Sequence, residues 1–125
     1  MEFEELLETW EGNYKKGLLT FWLLMILHQR KAYAFEMTGL VSELSGGMFS
    51  VDEKSIYRSL KRFTNLGITS SSWEESEIGP QRRYYQLTEL GLKLLQVFIR
   101  RNILVFQTEE VAGRIQGALN GAAAA

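Results

Sequence analysis

The sequence of 125 residues has no cysteine, a single histidine and a single proline. Without cysteine it can build neither a disulfide framework nor a thiolate zinc or iron-sulfur site, and nothing argues for an oxidising compartment, so a cytoplasmic location is expected. His28, the lone histidine, closes an apolar run and reads as a packed or capping residue. No Gly-x-Ser-x-Gly turn accompanies it, and Gly46-Gly47 is not followed by the Gly-Lys-Ser/Thr of a phosphate loop. Glu74, Glu75 and Glu77 lack the regular oxygen spacing of a hard-cation loop and read as a solvated turn. The expectation is a protein that is not an enzyme, with no catalytic residues, no metal and no cofactor.

Long hydrophobic runs are also missing. The stretch from Leu18 to Leu27 falls short of the roughly 20 residues a membrane span needs, and Met1 to Glu5 is acidic where a signal peptide is basic. Neither membrane nor export is expected. Charge of one sign is absent too: 14 basic residues stand against 15 acidic ones, for a net charge of -1. The long-range field is near neutral, so any case for a nucleic-acid partner rests on local clustering.

What is present is 46% hydrophobic residues, enough for one compact domain. A chain of this size leaves apolar faces over when it folds alone, which favours assembly between subunits. Phe3, Leu6, Leu7, Trp10 and Tyr14 recur at helical spacing between glutamates, giving a short amphipathic helix over 1–14. From Lys16 to Gln29 the sequence is apolar almost all round, as in a central helix. Phe35, Met37, Leu40, Val41 and Leu44 form the next helix, stopped at Gly46-Gly47. Ser50 and Glu53 have the spacing of a capping box, opening a helix of about 51–66 that Leu66-Gly67 ends. Ile68 to Trp73 and Arg82 to Leu87 have strand character and flank a polar turn, making a hairpin of about 68–87. Thr88 caps a last helix over 89–112, carrying Leu90, Leu94, Leu95, Phe98, Ile99, Ile103 and Phe106 with Asn102 among them. Its apolar arc is too wide for one small core. Residues 113–125 are low in complexity and read as a flexible tail.

The order is mainly α with a small β-hairpin, that of a winged helix-turn-helix over 15–88 with additional N-terminal and C-terminal helices. Lys54, Tyr57, Arg58 and Lys61 fall three and four apart on the exposed face of the third helix, flanked by Ser55 and Arg62. Lysine and arginine neutralise phosphates and read guanine edges, and tyrosine can bond a phosphate while packing on sugar. Gln81, Arg82 and Arg83 sit at the hairpin, where a wing reaches backbone or minor groove; adjacent strand residues point to opposite faces, leaving one arginine free for a structural role. A solvated basic face is the plain alternative for the helix taken alone.

The segments Lys16-Gly17, Tyr33-Ala34-Phe35-Glu36, Ser55-Ile56-Tyr57-Arg58-Ser59-Leu60, Leu66-Gly67-Ile68 and Gly79 through Gly91 resemble the PadR family of transcription regulators, in its short-chain branch. The resemblance covers about three-quarters of the chain. It implies a homodimeric DNA-binding repressor, with Tyr57, Arg58 and Lys61 on the helix and Arg82 and Arg83 at the wing as contacts to double-stranded DNA. It also implies packing of N-terminal and C-terminal helices between subunits, with Phe3, Leu6, Leu7, Trp10, Leu95, Phe98, Ile99, Asn102, Ile103 and Phe106 at the interface. Trp10 and Phe106 then face a dimer centre that either packs simply or accepts a small apolar effector. Ala34 stands where many members carry glycine, and Thr64-Asn65 replaces a common acidic residue. Arg100-Arg101-Asn102 lacks the tryptophan that drug-sensing members place there, which tells against multidrug sensing. The competing reading is a winged-helix module that binds another protein rather than DNA.

Overall fold

The computed structural model describes residues 2–121. Helix α1 (Phe3–Gln29) is followed by α2 (Ala34–Leu44), α3 (Glu53–Asn65), strands β1 (Thr69–Glu74) and β2 (Arg82–Leu87), and α4 (Glu89–Phe98). A π-helical turn (Ile99–Ile103), a 3-10 turn (Leu104–Gln107) and α5 (Glu109–Leu119) complete it. Where a single core is expected, the chain divides into two compact units, one ending at Leu92 and one starting at Lys93.

The first unit is the winged helix-turn-helix. Leu23, Leu24, Ile26 and Leu27 of α1, Met37 and Val41 of α2, and Ile56, Leu60 and Phe63 of α3 are all buried and form its core. The α1 residues repeat at three and four, so the C-terminal half of that helix buries one continuous face. Gly67, at φ +79°, ends α3 in a Schellman turn. Its N–H donates to the Thr64 carbonyl and the Ile68 N–H to that of Phe63, at 3.1 and 2.9 Å. The strands then pair antiparallel, from Thr69 opposite Leu87 to Glu74 opposite Arg82. The free edge of β2 is closed by Ala32, whose N–H and carbonyl both bond the Tyr85 backbone, at 3.2 and 2.9 Å. This third short strand gives no sequence signal, since it is one residue long.

Four expectations about these elements are corrected. The helices of 1–14 and 16–29 are one element, α1, which runs through Gly12 and Gly17 without a break. The cap of α3 is Asp52 rather than Ser50: its carboxylate accepts the Ser55 N–H at 2.7 Å. The last helix does not continue from 89 to 112. It ends at Phe98, and the chain turns through π and 3-10 geometry before Thr108 caps α5 by accepting the Val111 N–H. Most of the segment expected as a tail is therefore helical up to Leu119; Ala122 to Ala125 lie outside the described residues.

Thr88 caps α4 as expected, accepting the Gly91 N–H at 3.1 Å while its hydroxyl faces the Gly67 and Ile68 carbonyls at 2.7 and 2.9 Å. One side chain thus ties the end of α3, the start of β1 and the start of α4 together. The hairpin is held against the helices at its base.

Candidate nucleic-acid interface

Helix α3 buries Ile56, Ser59, Leu60 and Phe63 and exposes the opposite side, where Lys54, Tyr57, Arg58, Lys61 and Arg62 all lie in solvent. Tyr57 is 44% exposed although aromatic. Ser55 is half-buried at the edge of this face. Lys54, Arg58 and Lys61 enter none of the ion pairs found among the described residues. Glu53 borders the same surface as Lys54, Tyr57 and Arg58, and the Asp52 carboxylate before it is held below its usual value first by the backbone hydrogen bond from Ser55, then by the Ser55 hydroxyl, and further by the charges of Arg58 and Lys54. The cap therefore stays anionic and complements the positive helix start.

The hairpin separates its two arginines. Arg83 is half-buried and faces Ser71 and Trp73: its Nε donates to the Ser71 hydroxyl at 3.0 Å, and its guanidinium lies 5.9 Å from the Trp73 ring and 5.6 Å from the Tyr85 ring. Burial raises the pKa of Tyr85; Arg83 opposes that shift and Tyr57 adds to it, so the inner face of the wing and the exposed face of α3 are electrostatic neighbours. Arg82 takes the other face. Its guanidinium covers the Tyr33 ring at 4.6 Å and donates to the Tyr33 hydroxyl at 3.1 Å. Tyr33 in turn meets Tyr84 edge-on, and Lys31 lies over Tyr84 while pairing with Glu74 at 2.7 Å. Strand alternation thus puts the two arginines on opposite faces, Arg82 against Tyr33 and Arg83 against Ser71, Trp73 and Tyr85. Gln81 is exposed and donates to Glu75 across the turn at 2.8 Å.

Sequence reasoning missed Tyr33, Lys31, Ser71 and Trp73 as partners of the wing. Ser71 and Trp73 follow from the register once Trp73 is placed opposite Arg83. Tyr33 and Lys31 are long-range neighbours with no local signal.

Among the residues expected at a subunit interface, Phe3, Leu6 and Trp10 of the first unit are 70%, 53% and 76% exposed, while Leu7 is half-buried. In the second unit Leu95 is buried, Phe98, Ile99 and Ile103 are half-buried, and Asn102 and Phe106 are exposed. No helix of the described residues is long and apolar enough to cross a membrane.

Two helices joined by a turn, the second followed by a hairpin whose edge is closed by a strand before the first, define a winged helix-turn-helix protein. The chain belongs to the transcriptional regulator PadR-like family, whose model matches residues 23–97 and so spans α2, α3 and the wing. That is a family of regulators, not of enzymes. Among solved structures, a PadR-like transcriptional regulator from Bacillus cereus is 28% identical with a TM-score of 0.66, covering 82% of this chain and 95% of that one. Bacillus subtilis PadR, in complex with operator DNA, shares the fold at 22% identity and a TM-score of 0.60. The match covers 66% of this chain and 47% of that one, about half its length. An uncharacterized protein of Lysinibacillus sphaericus is 21% identical over 85 residues, 68% of this chain and 78% of the relative.

Proposed function

We propose that the protein is a homodimeric, sequence-specific DNA-binding regulator, acting as a repressor, with α3 in the major groove and Arg83 of the wing on the flanking backbone. The observation that carries this reading is the exposed face of α3, where Lys54, Arg58 and Lys61 enter no ion pair among the described residues and Tyr57 stands solvent-exposed among them. Unpaired cations need no internal ion pair broken before they meet phosphate. Membership of a regulator family and the operator complex of the Bacillus subtilis relative support it. Dimerisation through the exposed apolar stripe of α1 places two α3 helices about one helical turn apart on DNA.

The test is binding of the purified protein to its own upstream DNA and to a scrambled duplex, at several salt concentrations, with Arg58→Ala beside the wild type. The expected outcome is preference for the upstream site, steep salt dependence, and a roughly tenfold to hundredfold loss for Arg58→Ala on the specific site. The net charge of -1 favours one competing reading, a protein-interaction module using the same surface. Equal or absent binding to both duplexes, with a stoichiometric protein partner on α3, would replace the DNA reading by that one.

A further inference from the structure

We propose that a groove between α1 and the chain leading into α3 forms a further contact to the DNA backbone, separate from the reading face and the wing, with Lys15 and Lys16 as its phosphate ligands. The inference rests on the DNA-binding reading above and adds an element to it.

The groove has a volume of about 400 Å³, and its α1 side includes Lys15 and Lys16 while the opposite side includes Phe49, Ser50 and Ser55. No carboxylate lines it, in a chain whose acidic residues outnumber its basic ones. The Asp52 carboxylate close by is engaged by Ser55. Lys15 holds its ammonium 5.6 Å from the centre of the Phe49 ring, an interaction that restrains the long side chain and leaves the charge available. Neither lysine enters an ion pair with a described carboxylate, whereas Arg30 and Lys31 of the same unit are held by Glu36 and Glu74 at 2.8 and 2.7 Å. The lysines and arginines of this unit thus divide into Arg30 and Lys31, paired with carboxylates, the wing arginines held by Tyr33 and Ser71, and those of α3 and this groove, which enter no ion pair among the described residues.

Position identifies the occupant. Ser55 belongs both to the groove and to the first turn of α3, so the groove continues the reading face at its N-terminal end. A helix lying in the major groove, about 12 Å wide, has a phosphate backbone along each side, so cations beside its first turn and off its reading face meet backbone rather than base edges. Lys16 and Ser50 are exposed, which leaves the groove too open to enclose a small ligand yet suits a polyanion crossing it, with the Ser50 hydroxyl as a third donor.

The experiment compares full-length wild type, the double variant Lys15→Gln/Lys16→Gln and the conservative double variant Lys15→Arg/Lys16→Arg on the upstream and scrambled duplexes across a salt series. The glutamine pair is expected to weaken both duplexes by the same factor and leave the preference between them unchanged. The slope of log affinity against log salt should become shallower by about 0.9 for each phosphate that is no longer neutralised. The arginine pair is expected to restore both. Wild-type affinity and slope in the glutamine pair, with wild-type preference intact, overturn the groove's role alone; so does a changed preference, which would mean base reading. A benzoate-induced rise in melting temperature that the glutamine pair abolishes, with DNA binding untouched, would assign the groove to small organic anions instead. A wild type that binds neither duplex overturns the DNA reading and this inference together.

Discussion

The Asp52 carboxylate is fully exposed, yet its surroundings make it a pH-sensitive element of the fold. The Ser55 N–H at 2.7 Å lowers its pKa from the usual 3.8, and the charges of Arg58 and Lys54 lower it further. A folded-state value below the unfolded one means that the native state binds the proton less readily, so the stabilisation is fully present above about 3.8 and disappears as pH falls through the folded value. Asp52→Ala is therefore expected to lower the melting temperature at pH 7, with the gap to wild type closing below pH 3.8. A gap that persists unchanged down to pH 2 would show that the carboxylate charge is not what the cap contributes. The sequence shows that a cap opens α3 but favours the wrong residue, since Ser50 and Glu53 have the spacing of a reciprocal box. Packing decides instead: Phe49 is buried and its N–H is held by the Ser45 hydroxyl at 3.0 Å, which keeps the chain from turning helical until Asp52. The wing arginines divide for an equally physical reason. Alternation predicts that Arg82 and Arg83 part company, but only the folded chain brings Tyr33 to Arg82 and Ser71 to Arg83.

Between elements, the glycine with the least room is Gly91, where α4 begins over the residue that precedes β1. A Cβ on Gly91 would collide with the Ile68 carbonyl and lie 2.6 Å from Leu87 Cδ1, in a segment already fixed by Thr88. The clash is with backbone, so a rotamer change cannot relieve it. Gly91→Ala is expected to cost about 1–3 kcal/mol in spite of alanine's better helix propensity, a fall of roughly 4–12 °C in melting temperature. A melting temperature equal to or above that of wild type would mean that α4 shifts freely on the sheet. The helix-turn-helix and hairpin are legible in the sequence because α3 carries a clean periodicity, β2 is rich in aromatic residues, and the elements end in strong punctuation at Gly67 and Thr88. The long helices are less so. In α1 the pattern passes from a single apolar stripe to an apolar surface all round, which marks a change of surroundings and not of backbone. After α4 the reverse holds: an unbroken apolar pattern hides the π and 3-10 turns between Ile99 and Gln107. Thr108-Glu109-Glu110 is an ordinary helix opening, a capping threonine followed by two acidic residues, and is the available signal for α5.

At the scale of the whole molecule, a net charge of -1 gives little long-range attraction for DNA, so the proposed DNA binding would gain from contacts doubled in a dimer. The N-terminal half of α1 has the surface for that doubling. Phe3, Leu6, Trp10 and Tyr14 are each more than half exposed and follow one another at three, four and four residues, a continuous apolar stripe. Stripes of this kind mark interaction surfaces when they are rimmed by charge, as the intervening glutamates do here. Trp10, 76% exposed, offers the largest area and makes a negative charge at its position hardest to accommodate between subunits. Trp10→Glu is expected to shift the mass measured by sedimentation from two chains to one at micromolar concentration, with helical content unchanged by circular dichroism. The same variant should lose far more affinity for a duplex carrying two half-sites than for one carrying a single half-site, because only the two-site duplex rewards a dimer. A Trp10→Glu protein that stays dimeric would remove the stripe from the interface and leave the exposed Leu104, Val105 and Phe106 of the second unit to supply it. The sedimentation mass separates a failure to dimerise from a damaged reading surface, since Arg58→Ala is expected to stay at two chains while also losing more on the two-site duplex, where both subunits read.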